Sequence, residues 1–450
     1  MPFKLRGTNS SVGSKVAPVR RTSNRLFALV ACAALSAPAA GKAWGAQALG
    51  TDASTLAGKL IVGYQGWFSC PGDRGPTSGW GHWFDGTLPT IDMLPDVSGF
   101  SGAETCQTVL QTADGKPIRV FSSNVPSVVA RHFRWMRDYG IDGAAISRFA
   151  TSLKNPSARE QVNGVLAAAR ASAEQNGRLF MVTYDLSGLR PQDLQTVVDD
   201  WRELEARGTT ASTLYAREHG HPVLGLWGFG FRDRDMTPMA AQELMRALRR
   251  VSEPYRGLAI LGGVPSGWRL NEGDASADPG WSAVYRSFEI LSPWSVGRFT
   301  DDTGADRFLE HNLRPDLQET RRLGIRYMPV VFPGFSWHNL TLAHGHGAAS
   351  PVNAIPRRCG RFLWHQINNL TSLGIDLAFA AMFDEVDEGT ALFKTLASQS
   401  ASAAGQGFLT LDADGCKLPS DWYLRLSGEA ARALRRKHPG VARFPLQYPN

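Results

Sequence analysis

Eight apolar, β-rich runs of strand length recur along the chain, with helix-like segments between them. The runs are KLIVGYQG (59–66), DGAAISRF (142–149), RLFMVTYDL (178–186), HPVLGLWGFGF (221–231), GLAILGGVP (257–265), EILSPWSVGRF (289–299), RYMPVVFPGF (326–335) and IDLAFAAMF (375–383). Segments 127–139, 157–176, 240–252, 305–322 and 358–373 read as helices, and 427–437 as a last one. Continuous apolar strands joined by helical crossovers imply a parallel sheet covered on both faces. Eight such repeats predict an α/β fold, a (β/α)8 TIM barrel. Two long excursions decorate it, residues 67–125 after strand one and 397–421 after strand eight. A doubly wound open sheet is the alternative. No G-x-G-x-x-G follows the first strand and no P-loop occurs, so no nucleotide cofactor is implied.

The formal charge of +7 suggests a nucleic-acid or membrane partner, but its distribution argues otherwise. Residues 1–48 hold seven Lys and Arg and no Asp or Glu, which leaves 41 basic against 41 acidic residues beyond them. The remainder is neutral and predicts no nucleic-acid surface. In the leading segment a basic region precedes LFALVACAALSAPAAG and the small-residue sites Ala37-Pro38-Ala39 and Ala46-Gln47-Ala48. This pattern reads as an export signal, too short in its apolar part to span a bilayer. Residues 1–48 are therefore expected to be a leader and 49–450 a single secreted or periplasmic domain. Leu29-Val30-Ala31-Cys32 resembles a lipoprotein cleavage box, so anchoring through Cys32 is the alternative. Beyond the leader stand Cys70, Cys106, Cys359 and Cys416. An even number in an oxidising compartment predicts two disulfides, and neighbour logic favours Cys70–Cys106 and Cys359–Cys416. No C-x-x-C is present, and no metal is expected there.

In such a barrel, function belongs at the C-terminal ends of the strands. Strand one delivers Tyr64, Gln65 and Trp67; strand two, Ser147, Arg148 and Phe149; strand three, Tyr184 and Asp185. Strand four carries Trp227, strand six Trp294 and Arg298, and Phe335, Trp337 and His338 follow strand seven. Aromatics, carboxylates and amides converging on one rim predict an oligo- or polysaccharide site, because aromatic faces stack on sugar C–H faces while polar groups bind hydroxyls. Each residue also has a plainer role. Tryptophans can cap a core, Asp185 can cap a turn, Arg148 can be an internal ion-pair partner, and His338, His344 and His346 lie in a Gly-rich loop. Asp233, Arg234 and Asp235 read as a solvated turn.

Strand eight runs straight into Asp384, Glu385, Asp387 and Glu388. Glu385 and Glu388 stand three apart, which places both on one side of a turn. Two carboxylates held close cannot both ionise easily, and one acid with one base is what glycoside hydrolysis requires. A calcium loop is the other reading of DEVDEG, although the alternating ligands of an EF-hand are missing.

Phe383-Asp384-Glu385-Val386-Asp387-Glu388-Gly389-Thr390 resembles the F-N-E-W-H-E-G-T segment of glycoside hydrolase family 99, the endo-α-mannosidases and endomannanases. The whole chain resembles the secreted bacterial family 71/99-like proteins. The stretches carrying that likeness are Val62–Phe68, Tyr184–Gly188, Pro293–Arg298 and Pro333–Trp337. The resemblance implies a (β/α)8 barrel and a retaining mechanism on α-linked mannan-like or glucan substrates. Glu385 would be the base on the sugar 2-hydroxyl, giving a 1,2-anhydro intermediate, and Glu388 the general acid and then base. Kinship with family 71 would bring in Asp185 from across the barrel. Asp384, Val386 and Asp387 stand where the family 99 segment has Asn, Trp and His. The added carboxylates predict a raised pKa at Glu385 or Glu388 and leave Asp384 and Asp387 as candidate substrate contacts. A non-catalytic carbohydrate-binding barrel is the rival function.

Overall fold

The eight apolar runs pair into one closed parallel sheet. A computed structural model describes residues 50–345, 350–405, 407–436 and 443–448. The expected leader, Cys32 and His346 lie outside the described residues. The barrel strands are β1 (Lys59–Tyr64), β2 (Gly143–Phe149), β3 (Leu179–Asp185), β4 (His221–Trp227), β5 (Ala259–Val264) and β6 (Ile290–Pro293). β7 comprises Arg326–Tyr327 and Val330–Val331, and β8 is Leu377–Ala380. Met328 and Pro329 divide β7, since proline has no N–H for a ladder. The first half of β7 pairs with β6 and the second with β8, which closes the barrel. Both edges stay bonded through the gap: Met328 N donates to Leu291 O, and Phe379 N donates to Pro329 O.

The helical shell is α1 (Pro126–Tyr139), α2 (Pro156–Asn176), α3 (Gln195–Ala206), α4 (Pro238–Ser252) and α5 (Trp281–Tyr285). It continues with α6 (Asp302–Phe308), α7 (Arg314–Leu323), α8 (His338–Ala343), α9 (Arg361–Ser372) and α10 (Trp422–Arg435). Local signals set several ends. Asn155, Thr237 and Asp301 accept from backbone N–H groups at the starts of α2, α4 and α6. The single helix expected over 305–322 is split by a π turn at Leu309–Leu313. Pro315 at the start of α7 removes the amide that a continuous α-helix needs there. The last helix begins at Trp422 rather than residue 427, and α3 adds a crossover between β3 and β4 that the apolar pattern did not mark.

Charged groups hold the N-terminal end of the barrel. Asp142 accepts from Leu60 N at 2.9 Å and from Arg435 at 2.6 Å, beside the buried Lys59. This end stabilises such barrels, while the opposite mouth carries function. Over that mouth the long excursion after β1 folds into two ribbons, Phe84–Asp85 with Leu88–Pro89 and Thr105–Gln111 with Pro117–Phe121. The Cys70–Cys106 disulfide ties this excursion to itself, and Cys359–Cys416 ties the loop after β8 to the start of α9. Both favoured pairings are formed. Among the described residues no helix is long and apolar enough to cross a membrane.

Candidate active site

Strand residues alternate between the barrel interior and the helical shell, and this alternation decides which strand-end residues can meet a ligand. On β2, Ser147 and Phe149 line a central cavity of about 320 Å3, whereas Arg148 between them faces the shell. Arg148 is fully buried; its guanidinium bonds both oxygens of Asp200, at 3.0 and 2.6 Å, and Asn163 Oδ1 at 2.9 Å. On β3, Thr183 and Asp185 face inward, and Tyr184 donates to Asp200 at 2.6 Å. Tyr64 is likewise buried in the shell, its hydroxyl 3.0 Å from His132 Nδ1 on α1. The expectation that Tyr64, Arg148 and Tyr184 contact substrate is therefore corrected: each is one residue out of phase with the cavity.

The central cavity is walled by Gln65, Trp67, Phe149, Asp185, Trp227, Trp294, Glu385 and Glu388. Trp227 and Trp294 meet edge to face at 5.4 Å. Gly263 makes the room: a Cβ there would lie 2.4 Å from the Trp227 ring. Six buried polar atoms around the mouth have no hydrogen-bond partner among the described residues: Gln65 Oε1, Trp67 Nε1, Thr183 Oγ1, Trp227 Nε1, Arg234 Nε and Asp387 Oδ1. Buried polar groups ordinarily find partners. Unpaired ones converging between aromatic walls suit a ligand rich in hydroxyls.

Two further cavities open from this one. A wide arm of about 990 Å3 shares Trp227, Trp294, Arg234 and Glu388 and extends past Phe335 and Trp337. A second arm of about 400 Å3 shares Trp67, Glu385 and Glu388 and reaches His82 and Asp387. His82 stacks on Trp67, rings 3.8 Å apart, and its Nδ1 lies 3.0 Å from Asp387 Oδ2. Glu388 lines all three spaces. His82 sits in an irregular loop with no sequence pattern to announce it. Arg234 was expected in a solvated turn, yet its guanidinium lies 5.8 Å over the Trp227 ring and lines two of the cavities.

The segment after β8 is held mainly by its backbone. Val386 O accepts from Asp92 N and Met93 N, and Glu388 O accepts from Ser336 N. Buried Arg357 donates to Gly389 O at 2.8 Å and Ala391 O at 2.7 Å, and stacks on Tyr423. Gly389 takes a left-handed turn where a Cβ would come within about 3 Å of Ser336. Asp384 is a structural anchor rather than a substrate contact, since its two oxygens accept from Gln65 N and Gly66 N, each at 2.8 Å. His338 is also withdrawn: Asp92 accepts from its backbone N–H, and its Nδ1 meets Ser350 O at 2.6 Å. Asp185 does two things, bonding Ser187 N at 2.7 Å and lining the cavity.

Burial dominates the electrostatics. It lifts the Glu388 carboxyl to about 7, with Asp387 and then Asp185 adding to the push. Glu385 is raised well above its usual range by burial, then by Glu388 and Asp387, against a hydrogen bond from Gln65. Burial also raises Asp185 and takes Asp384 to about 7. Near neutral pH the Glu385–Glu388 pair therefore keeps a proton, and that proton belongs to the pair.

No family model and no curated protein matches the chain. Solved structures do. A GH99 endo-α-mannosidase from Bacteroides thetaiotaomicron, in complex with bis-tris-propane, aligns over 85% of this chain and 98% of its own with a TM-score of 0.59 at 16% identity. A second structure of GH99 endo-α-mannosidase from the same organism covers 86% of this chain and 100% of its own, with a TM-score of 0.57 at 16% identity. A glycoside hydrolase-like protein aligns over 86% and 97%, with a TM-score of 0.50 and 11% identity. The (β/α)8 barrel is thus shared with the GH99 enzymes at low sequence identity.

Proposed function

We propose that the protein is a glycoside hydrolase acting on an α-linked glycan, with Glu385 and Glu388 as its acid–base pair. The observation that carries this reading is a pair of proton-retaining carboxyls at the meeting point of three cavities, beneath aromatic walls. The barrel shared with GH99 endo-α-mannosidases supports it. In the first step Glu385 takes the proton of the sugar 2-hydroxyl as that oxygen bonds to C1, while Glu388 protonates the departing glycosidic oxygen. In the second step Glu388 takes a proton from water, the water oxygen bonds to C1, the C1–O2 bond opens and Glu385 returns its proton to O2. Each carboxyl alternates between acid and base, so a pair that shares one proton near neutral pH suits both steps. Gln65, Trp67, Trp227, Trp294, Trp337 and Asp387 line the cleft and are assigned to the glycan. The two disulfides fit action outside the cytoplasm.

The test is product release from a panel of α-mannans and α-glucans by wild type beside Glu388→Gln. Wild type should release oligosaccharides, and the variant should lose roughly 10²–10⁴-fold in rate, as for removal of a general acid. Binding without turnover by both proteins would leave a sugar-binding barrel and overturn the hydrolase.

A further inference from the structure

All three arginines that line these cavities line the wide arm, together with Asp233, Asp274 and Glu388, whereas the narrow arm is lined by carboxylates and histidines and by no Arg or Lys. In the wide arm Arg232, Arg234 and Arg298 face Asp233 and Asp274. Asp274 is already committed: it accepts from Arg298 Nε at 2.8 Å, Ser266 Oγ and N, and Gly267 N. Asp233 is 70% exposed and lies 3.6 Å from Arg234 Nε, beyond hydrogen-bond reach. Arg234 Nε is buried without an acceptor. Arg232 is exposed, and its guanidinium has no ion-pair partner among the described residues. Arg232 thus lines the arm without an ion-pair partner among the described residues, while Arg234 has the exposed Asp233 at 3.6 Å and Asp185 within electrostatic reach but no carboxylate hydrogen-bonded to it. Both line the wide arm with Trp227 and Trp294, and neither lines the narrow arm, which holds Asp387, Glu385 and Asp85.

We propose that the wide arm receives an anionic substituent of the glycan, a carboxylate or a phosphate monoester, bound by Arg232 and Arg234. Guanidinium forks match the geometry of both groups. The charge gradient also orients the chain. An anion beside Glu388 and Asp387 would be repelled, so the charged unit must lie beyond Trp227 and Trp294, and a neutral unit must occupy the narrow arm. This deepens the hydrolase reading and rests on it only for the location of the scissile bond.

Tryptophan fluorescence titration tests it, since Trp227 and Trp294 face the cleft. The probes are a galacturonate trisaccharide, mannose 6-phosphate and neutral mannotriose, each at 20 and 300 mM NaCl. One anionic probe at least should bind tenfold or more tightly than mannotriose at low salt. That advantage should shrink at 300 mM NaCl, where screening is strong, and fall to near one in Arg232→Gln/Arg234→Gln. The carboxylate and phosphate probes identify which anion is preferred. Equal affinity for charged and neutral probes in wild type, no binding of any probe, or a preference that survives both substitutions would overturn the proposal. The salt dependence of wild type keeps the test decisive if the double variant folds poorly. Hydrolysis of neutral glycans without anion preference would sink this proposal alone; anion preference without hydrolysis of any glycan would sink the enzyme reading alone.

Discussion

Replacing Glu388 by glutamine should make the protein more stable at alkaline pH and leave it unchanged at acid pH. The carboxyl is raised from 4.5 to about 7, first by burial and then by Asp387 and Asp185. Each pK unit corresponds to about 1.4 kcal/mol, so ionising Glu388 costs the folded state about 3 kcal/mol once the pH exceeds 7. Between pH 4.5 and 7 the folded chain holds a proton that the unfolded chain has released, so this group's contribution to stability falls as pH rises. Glutamine keeps the shape of the protonated acid and cannot ionise. The variant should therefore gain about 2–3 kcal/mol at pH 8.5 and nothing at pH 4. With about 2.1 cal/mol/K of unfolding entropy per residue over about 400 ordered residues, the gain is a Tm increase of about 3 °C. Calorimetric scans of both proteins at the two pH values, at one scan rate, would measure it. A variant no more stable than wild type at pH 8.5, or equally stabilised at both pH values, would refute a half-buried, proton-retaining Glu388.

Arg148→Met should leave buried Asp200 with only the Tyr184 hydroxyl and the more distant Arg159, at 3.6 Å, as partners and cost up to about 3–5 kcal/mol by urea denaturation, with glycan affinity of the folded fraction intact. Arg357→Ala strips the donors from Gly389 O and Ala391 O; two buried carbonyls at about 1–3 kcal/mol each should lower Tm, and turnover should fall more than affinity as the loop loosens. Removing Cys359–Cys416, which closes 57 residues, should cost up to about 4 kcal/mol by loop entropy, read as a drop in the denaturation midpoint without dithiothreitol. Trp227→Ala should weaken binding of neutral oligosaccharides about tenfold, or about 1.4 kcal/mol, in the same fluorescence assay with the remaining tryptophans as reporters.

The barrel is legible in the sequence because its strands are buried on both faces and read as unbroken apolar runs. The phase of each strand is not legible for the same reason: an all-apolar run carries no alternation to show which side faces in. Hence the sequence places Arg148 and Tyr184 beside the ligand together with Asp185, whereas only Asp185 of the three lines the cavity, with Ser147 and Thr183. At the ends of β4 and β6 the expected side chains, Trp227 and Trp294, are in phase. Arg234, flanked by two aspartates, reads as a solvated turn until the indole of Trp227 lies beneath it. His82 and Arg357 come from irregular backbone, and their partners Asp387 and Gly389 are about 305 and 32 positions away. No local spacing encodes such contacts. The cluster after β8 was conspicuous because charge follows an apolar strand without a break, although composition does not reveal that Asp384 is spent on two backbone amides.

The loop that bears Glu385 and Glu388 is fastened largely by carbonyl oxygens, at Val386, Glu388, Gly389 and Ala391. Such fastenings are indifferent to the side chain on the same residue. Position 387 can therefore change its letter without moving the glutamates on either side. A lineage could pass between histidine and aspartate there and alter what the narrow arm welcomes, while the proposed acid–base pair stays in register. On the proposed function the scaffold separates two inheritances, one for where a proton would be handed over and one for which sugar would be held, and libraries built at 387 and its partner His82 could explore the second without disturbing the first.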